Sequence, residues 1–106
     1  MEHTGICFIE GTTIAGTNHV GNIRQIASRI PQGACLLLEH DDRNPFDPWA
    51  VKVLDEQRNR LGYVSCAHNE VIARLLDGGK KVMGRLKRIA NVESWTRIEM
   101  GVYLYD

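Results

Sequence analysis

The stretch that decides the fold is EHDDRNPFDPWAVKV, residues 39–53. A short loop this rich in Asp, Asn and Pro, leading directly into an apolar strand, fixes the backbone instead of merely connecting two elements. Pro45 restricts Asn44 to extended geometry, and the side chains of Asn44 and Asp47 can hydrogen-bond nearby backbone groups. Phe46 is too apolar for an idle loop tip, so it must either pack inward or meet a ligand.

Short apolar segments surround this loop and predict strands. We predict six strands, at 7–15, 34–40, 49–54, 60–64, 80–90 and 95–105. Apolar residues at helical spacing predict two short helices, one over 22–29 and one from Ser65 to Asp77. Short strands separated by turn signals are typical of a small barrel. The predicted fold is therefore mainly β, a six-stranded OB-like or SH3-like β-barrel with two short helices.

The chain as a whole is predicted to form one domain. No linker, repeat or low-complexity tract divides its 106 residues, so we predict a single domain over 1–106 with its core from about 7 to 104. No run approaches the roughly 20 apolar residues of a membrane span. Residues 1–10 lack the pattern of a secretory signal. We therefore expect a cytoplasmic protein without a membrane partner.

The cysteine and carboxylate patterns do not predict a metal centre or a catalytic centre. Cys7, Cys35 and Cys66 are odd in number and include no Cys-x-x-Cys pair, so we expect reduced thiols buried as small core residues. Cys66 and His68 lack a second ligand pair at zinc spacing. The acidic residues of 40–47 suit a two-metal nuclease but are more typical of loop chemistry. We predict no catalytic residue, metal or cofactor, and keep a carboxylate-based nuclease as a weak alternative.

The distribution of charge indicates one basic region. The formal net charge is zero, with 13 basic and 13 acidic residues, which argues against indiscriminate binding of polyanions. Residues 74–97, however, hold seven basic residues and two acidic ones. If this region contains a strand, Lys81, Arg85 and Lys87 share one of its faces. That face either follows the phosphates of a nucleic acid or is a solvated outer surface.

Three motifs resemble the HIRAN domain family. That family has Asn-Pro-aromatic-Asp, a residue or two, and then Ala and an apolar strand, as in NPFDPWAVKV, residues 44–53. It has an apolar strand that ends in glycine before a short loop, as in TIAGTNH, residues 13–19. It also has a Gly-aromatic-apolar turn before a helix, as in LGYV, residues 61–64. The resemblance covers about Cys7 to Leu104.

The resemblance implies a compact OB-related β-barrel that binds DNA. In the best understood members, the domain lies beside a helicase-like motor and captures the 3′ end of single-stranded DNA. This sequence has no Walker A motif. We therefore expect a stand-alone nucleic-acid-binding module and not an enzyme. We also expect a role in DNA repair or at stalled replication forks. In that role the module would work with a partner helicase or nuclease.

The resemblance implies that the proline-containing loop is part of the DNA-binding site. Phe46 is expected either to stack on a base or to plug the core under the loop. Asp47 matches an aspartate that meets the terminal 3′-hydroxyl, and its alternative role is to cap a turn. Asn44 either bonds a base edge or stiffens the loop. Tyr63 matches a rim position that bonds a phosphate or a base, unless it is a half-buried structural tyrosine.

The glycine loop departs from the DNA-end-binding members of the family. Those members carry a basic residue and two adjacent tyrosines where this chain has Asn18, His19 and Val20. A histidine can stack on a base, and it can pair with phosphate when it is protonated. One ring and one fixed cation are nevertheless missing. We therefore expect Asn18 and His19 to contact DNA with weaker 3′-end selectivity.

The alternative function is a β-barrel that binds protein or associates with itself. Trp95, Tyr103 and Tyr105 share the outer face of the last predicted strand, and exposed aromatic residues favour interfaces. That strand is also expected to be able to pair edge to edge between two copies. A homodimer is compatible with both functions.

Overall fold

The structure is a computed structural model and describes residues 5–105. These residues contain six strands and two short helices. The strands are β1 (Ile6–Thr13), β2 (Cys35–His40), β3 (Val51–Leu54), β4 (Arg60–Tyr63), β5 (Lys81–Val92) and β6 (Trp95–Tyr105). The helices are α1 (Ile23–Ser28) and α2 (Asn69–Asp77), and a 3₁₀ turn covers Thr17–His19. Each predicted strand and helix has a counterpart here. The prediction of a mainly β fold with two short helices is confirmed.

The strands form one antiparallel sheet whose two ends meet. Their order is β1-β6-β5-β2-β3-β4, and the sheet curls into a half-barrel. Just past β1, Ala15 and Tyr63 exchange two backbone hydrogen bonds, each 2.8 Å long. This bridge joins the first and last strands of the order, so the sheet wraps around a core.

Alternating side chains of β5 and β6 supply much of that core. The buried apolar residues of these two strands are Val82, Leu86, Ile98, Met100 and Val102. Each helix adds buried isoleucine from one face. Lys81, Arg85 and Lys87 are exposed on the outer face of β5. The three cations therefore share the outer face of β5, as alternation along this strand predicts.

Two local predictions are wrong. Helix α2 begins at Asn69 and not at Ser65, because the Ser65 hydroxyl accepts a hydrogen bond from the Ala67 amide (3.3 Å) and forms a turn. Cys7 and Cys66 are exposed, not buried. Strand β1 changes register between Cys7 and Ile9, so Ile9 takes the inward position while Cys7 faces out.

Strand β6 is also not an edge strand, because it pairs with β1 on one side and β5 on the other. Its backbone is therefore not free to pair with a second copy. The prediction of edge-to-edge pairing through this strand is wrong. Within residues 5–105, neither helix has the length and apolar character needed to cross a bilayer.

Gly62 permits the bridge that closes the sheet. A Cβ atom at this position would lie 2.3 Å from the Ala15 carbonyl oxygen and 2.8 Å from Cγ2 of Ile14. Both distances are far below van der Waals contact, and the first involves backbone that cannot rotate away. Only a residue without a side chain allows β4 to approach the end of β1 this closely.

We expect Gly62→Ala to destabilise the protein by about 1–3 kcal/mol, because the added methyl group forces the bridge apart. Gly11→Ala is the matched control, since a Cβ atom there would meet nothing within 4 Å. Urea denaturation of both variants measures the difference. Equal midpoints for the two variants would contradict the role assigned to Gly62.

Candidate nucleic-acid interface

Hydrogen bonds to Asn44 and Asp47 fix the turn between β2 and β3. The Asn44 side-chain oxygen accepts bonds from the backbone amides of Phe46 (2.9 Å) and Asp47 (3.1 Å). One carboxylate oxygen of Asp47 accepts a bond from the Trp49 amide at 2.8 Å. These are the local bonds that the Asn-Pro-x-Asp pattern predicts. Both side chains therefore stiffen the turn, whatever else they contact.

The ring of Phe46 lies outside the core. It is 94% exposed, so it does not pack inward as a plug under the loop. The ring forms part of the rim of a shallow cavity of about 190 Å³. The other residues that line this Phe46 cavity are Ala15, Asn44, Asp47, Ala50, Tyr63, Val64, Cys66 and Asn69. Small-molecule pockets usually exceed about 300 Å³, so the cavity suits the end group of a larger ligand.

Asp47 connects the turn to α2. Its second carboxylate oxygen accepts a bond from the side-chain amide of Asn69 at 2.8 Å. Asn69 is only 5% exposed and is the first residue of α2, so the turn and the helix are held together through a buried contact. Each carboxylate oxygen has two acceptor sites and uses one of them here. The half-buried Asp47 therefore retains acceptor capacity toward the cavity.

Tyr63 lines the same cavity, and Arg60 contacts Tyr63 from outside the lining. The Tyr63 hydroxyl lies 3.3 Å from a carboxylate oxygen of Asp41, to which it donates, and 3.4 Å from a guanidinium nitrogen of Arg60. The Arg60 guanidinium carbon is 5.5 Å from the centroid of the Tyr63 ring. Sequence reasoning missed Arg60 and Asn69. Period-two alternation gave no signal for Arg60, because it places residues 60 and 63 on opposite faces of a strand. The β3–β4 pairing departs from regular alternation through a register shift between Val53 and Leu54, opposite residues 60–62.

Asn18 and His19 lie on the neighbouring 3₁₀ turn. The turn follows Gly16, whose φ of 76° is in the left-handed region that favours glycine, and Gly16 directly follows the cavity residue Ala15. Both Asn18 and His19 are exposed. Asn18 lines a separate groove of about 400 Å³ between this turn, the start of α1 and the β5–β6 turn. Neither residue lines the Phe46 cavity itself.

The structure does not bring the predicted basic residues of β5 to the Phe46 cavity. Strands β2 and β3 separate β5 from β4 in one direction, and β6 and β1 separate it from Ala15 in the other. Lys81, Arg85 and Lys87 therefore occupy a different face of the molecule. The predicted site residues therefore form three groups, which lie at the Phe46 cavity, on the 3₁₀ turn with Asn18 and His19, and on the outer sheet.

Comparison with known proteins assigns the chain to a family. The HIRAN domain model matches residues 8–105, which is nearly the whole sequence. The chain belongs to the HIRAN domain family. No curated protein sequence matches it.

Two solved structures share the HIRAN fold of this chain. One is a protein from Lactobacillus plantarum, with 21% sequence identity, 99% coverage of both chains and a TM-score of 0.87. The other is the HIRAN domain of human HLTF, with 17% identity, 95% coverage of this chain, 78% coverage of that chain and a TM-score of 0.72. At these identities the likeness establishes the fold alone.

Within this HIRAN domain, the imidazole of His40 ties the proline turn to α2. Its Nε2 donates to the Pro48 carbonyl at 2.7 Å and its Nδ1 donates to the Asp77 carboxylate at 2.9 Å. The ring stacks on Trp49, with centroids 6.2 Å apart and planes 16° from parallel. Because both nitrogens face acceptors, the doubly protonated imidazolium satisfies both contacts. The bond to Pro48, and then the bond to Asp77, raise the pKa of His40.

The raised pKa of His40 predicts a pH-dependent contribution to stability. The folded state binds the proton more tightly than the unfolded state does. The contribution is therefore full below the unfolded pKa of about 6.5 and is lost as pH rises through the higher folded value. We expect His40→Gln to lose most stability relative to wild type in mildly acidic buffer, and progressively less as the pH rises.

Chemical denaturation across this pH range, with an NMR titration of the His40 ring, measures the effect. His19→Gln, which removes an exposed imidazole outside this contact, serves as the control. A stability difference for His40→Gln that grows with rising pH would contradict the assignment.

The acidic residues near the turn do not form a metal site in the described part of the chain. Among residues 5–105, no group of three or more His, Cys, Asp or Glu side chains is placed to hold a metal ion. The carboxylates of Asp41 and Asp47 instead accept hydrogen bonds from Tyr63, Asn69 and the turn itself.

Proposed function

We propose that this HIRAN domain binds single-stranded nucleic acid at the Phe46 cavity, with a free 3′-OH end of DNA as the preferred ligand. The Phe46 ring carries the proposal. It is 94% exposed, although burying such a ring is worth about 1.5–3 kcal/mol. The turn beneath it is fixed by Asn44, so the ring is presented outward on a rigid support. Membership of a family known for binding DNA supports the same conclusion.

Phe46 is the stacking residue in this proposal. Every base has a flat π face, so stacking on a phenyl ring binds a strand without requiring a particular sequence. The cavity beside the ring lies between Ala15, Tyr63 and Asn69 and is open to solvent. A terminal base on the Phe46 ring would direct its sugar into this cavity.

Asp47 selects the chemistry of the strand end. A carboxylate accepts a hydrogen bond from a free hydroxyl and repels a phosphate. The amides of Trp49 and Asn69 hold the Asp47 carboxylate in place, which leaves one acceptor site on each oxygen for the terminal hydroxyl. A strand that ends in 3′-OH is therefore favoured over one that ends in 3′-phosphate.

The remaining residues of the site bind the strand behind its end. Tyr63 offers a hydroxyl at the cavity, and Arg60 offers a guanidinium beside Tyr63, where the first phosphate would lie. Asn44 acts through the turn that it braces. Asn18 and His19, on the exposed turn past Ala15, extend the contact to following nucleotides with less selectivity than paired tyrosines would give.

We further propose that the domain acts by binding alone, without catalysis. Its place would be in the cytoplasm, where it would hold strand ends for a partner helicase or nuclease during DNA repair. The cavity of about 190 Å³ and the lack of a metal-binding cluster among residues 5–105 are compatible with a binding module.

Two substitutions test the proposal by fluorescence anisotropy with short labelled oligothymidylates. Phe46→Ala should weaken binding by about 5- to 150-fold, which corresponds to the stacking energy of one base. It should change stability by less than about 0.5 kcal/mol, because the ring is exposed. Asp47→Asn keeps the shape of the side chain and removes its charge, and its single oxygen keeps one of the two bonds from Trp49 and Asn69. It should reduce the preference for a 3′-OH end over a 3′-phosphate end.

Ile6→Ala is the control for Phe46→Ala, because Ile6 is also a large exposed apolar residue (62% exposed) but lies on β1. It should bind like wild type. The proposal fails if wild type does not bind either oligonucleotide at low salt, or if Phe46→Ala and Ile6→Ala bind equally well.

A protein-binding surface is the second candidate function. Strand β1 ends the sheet and exposes Ile6 and Phe8. A free edge with apolar side chains can pair with another chain. Register shifts on both sides of Ile9 interrupt this edge, however, and bulges of this kind hinder edge pairing. Light scattering of the wild type alone would reveal a homodimer formed through β1.

A further inference from the structure

The outer face of β5 and β6 combines cations with tyrosine rings. We call this set, which consists of Lys81, Arg85, Lys87, Tyr103 and Tyr105, the tyrosine–cation face. Directly opposed residues of an antiparallel pair point to the same side of the sheet. Lys81 is opposite Tyr105, Met83 is opposite Tyr103 and Arg85 is opposite Gly101. These side chains are therefore neighbours on one surface, and the three cations are exposed.

Contacts between these side chains organise the face. The Arg85 Nε donates to the Tyr105 hydroxyl at 2.9 Å, and the Arg85 guanidinium carbon lies 5.8 Å from the Tyr103 ring centroid. The two tyrosine rings are 6.5 Å apart with their planes tilted by 36°. The rings of Tyr103 and Tyr105 are therefore adjacent, and the Arg85 guanidinium lies beside both residues.

Gly101 makes room for this arrangement. A Cβ atom there would lie 3.2 Å from the Tyr103 ring and 3.3 Å from the Glu10 carbonyl oxygen, to which Lys87 donates a hydrogen bond. The missing side chain lets the Tyr103 ring lie low over β6 and lets Lys87 reach across β6 to β1. The Tyr103 ring and the Lys87 side chain therefore both lie close to Gly101.

Basic residues are concentrated in the segment of the sequence that carries this face. Residues 80–105 hold six of the 13 basic residues but only two of the 13 acidic ones. One of those two, Glu99, is already paired with Arg88 and Arg97 at 3.1 Å each. The rest of the chain is correspondingly acidic, including Asp41, Asp42 and Asp47 around the proline turn. Three of these six basic residues, Lys81, Arg85 and Lys87, belong to the tyrosine–cation face, which therefore offers a concentrated positive charge to a polyanion.

We propose that the tyrosine–cation face is a second binding surface for single-stranded nucleic acid, which holds the interior of a strand and does not require an end. The proposal rests on the proposed function, since both surfaces take the same class of ligand. Cations beside aromatic rings are the combination that binds single strands without sequence preference. Strands β2 and β3 lie between this face and β4, so the two surfaces bind different nucleotides.

Two probes separate the surfaces in an anisotropy experiment. A circularised oligothymidylate has no end and tests the tyrosine–cation face, whereas a 3′-OH strand of a few nucleotides tests the Phe46 cavity. The variant is Lys81→Gln with Arg85→Gln. Each lost phosphate contact lowers the salt slope of single-strand binding by about 0.7, so the pair should lower it by about 1.4. At about 0.1 M salt this corresponds to a roughly 25-fold weaker complex with the circle.

The expected result is that wild type binds the circle, that the double variant binds it more weakly, and that binding of the short 3′-OH strand changes less than about twofold. Arg58→Gln, which removes one cation from the exposed β3–β4 turn outside this face, is the control for charge loss elsewhere on the surface, and it should bind the circle like wild type. Tyr103→Leu, which keeps every charge, should also weaken binding of the circle. It provides a second test if the double variant does not fold.

Three results would overturn the inference: no binding of the circle by wild type, equal binding by the double variant and Arg58→Gln, or displacement of the circle by polyglutamate as effectively as by oligothymidylate. The last would assign the face to acidic polymers in general. None of these bears on the Phe46 cavity, because binding of the short 3′-OH strand and its loss in Phe46→Ala test that site separately.

Discussion

Two backbone hydrogen bonds between Ala15 and Tyr63, each 2.8 Å long, join the ends of the sheet. They form because Gly62 has no side chain to keep β4 away from the end of β1. The same contact brings Ala15, Tyr63 and Val64 together as walls of the Phe46 cavity. Closure of the core and construction of the cavity therefore depend on one close approach of two backbone segments.

The proline turn adds the rigid part of the cavity. Asn44 and Asp47 bond to the backbone of the turn, Asn69 bonds Asp47 to α2, and His40 bonds Pro48 to Asp77. With these contacts made on folding, the backbone that carries the Phe46 ring is ordered before any ligand arrives. A binding group ordered in advance costs less entropy to engage than a mobile loop does. This is how a small cavity with one exposed ring can bind the end of a flexible strand.

Local sequence patterns predicted the strands and helices. They did not predict contacts between residues that are far apart in the sequence. Alternation located β6 at 95–105, and the pairing of Asn44 with its own turn followed from short-range side-chain chemistry. The contact between His40 and Asp77 spans 37 residues, and no local pattern encodes it. The burial predicted for Cys7 was wrong because a register shift within β1 is set by its pairing with β6, which the sequence of β1 alone does not reveal.

An NMR titration of isotope-labelled protein with a short 3′-OH oligothymidylate tests the central claim most directly. The account predicts nuclear Overhauser contacts between the Phe46 ring protons and the terminal nucleotide, together with shift changes at the amides of Asp47 and Asn69. Shift changes confined to other surfaces, with the resonances of Phe46 and Asp47 unaltered at saturation, would show that the exposed ring is not where the strand end binds.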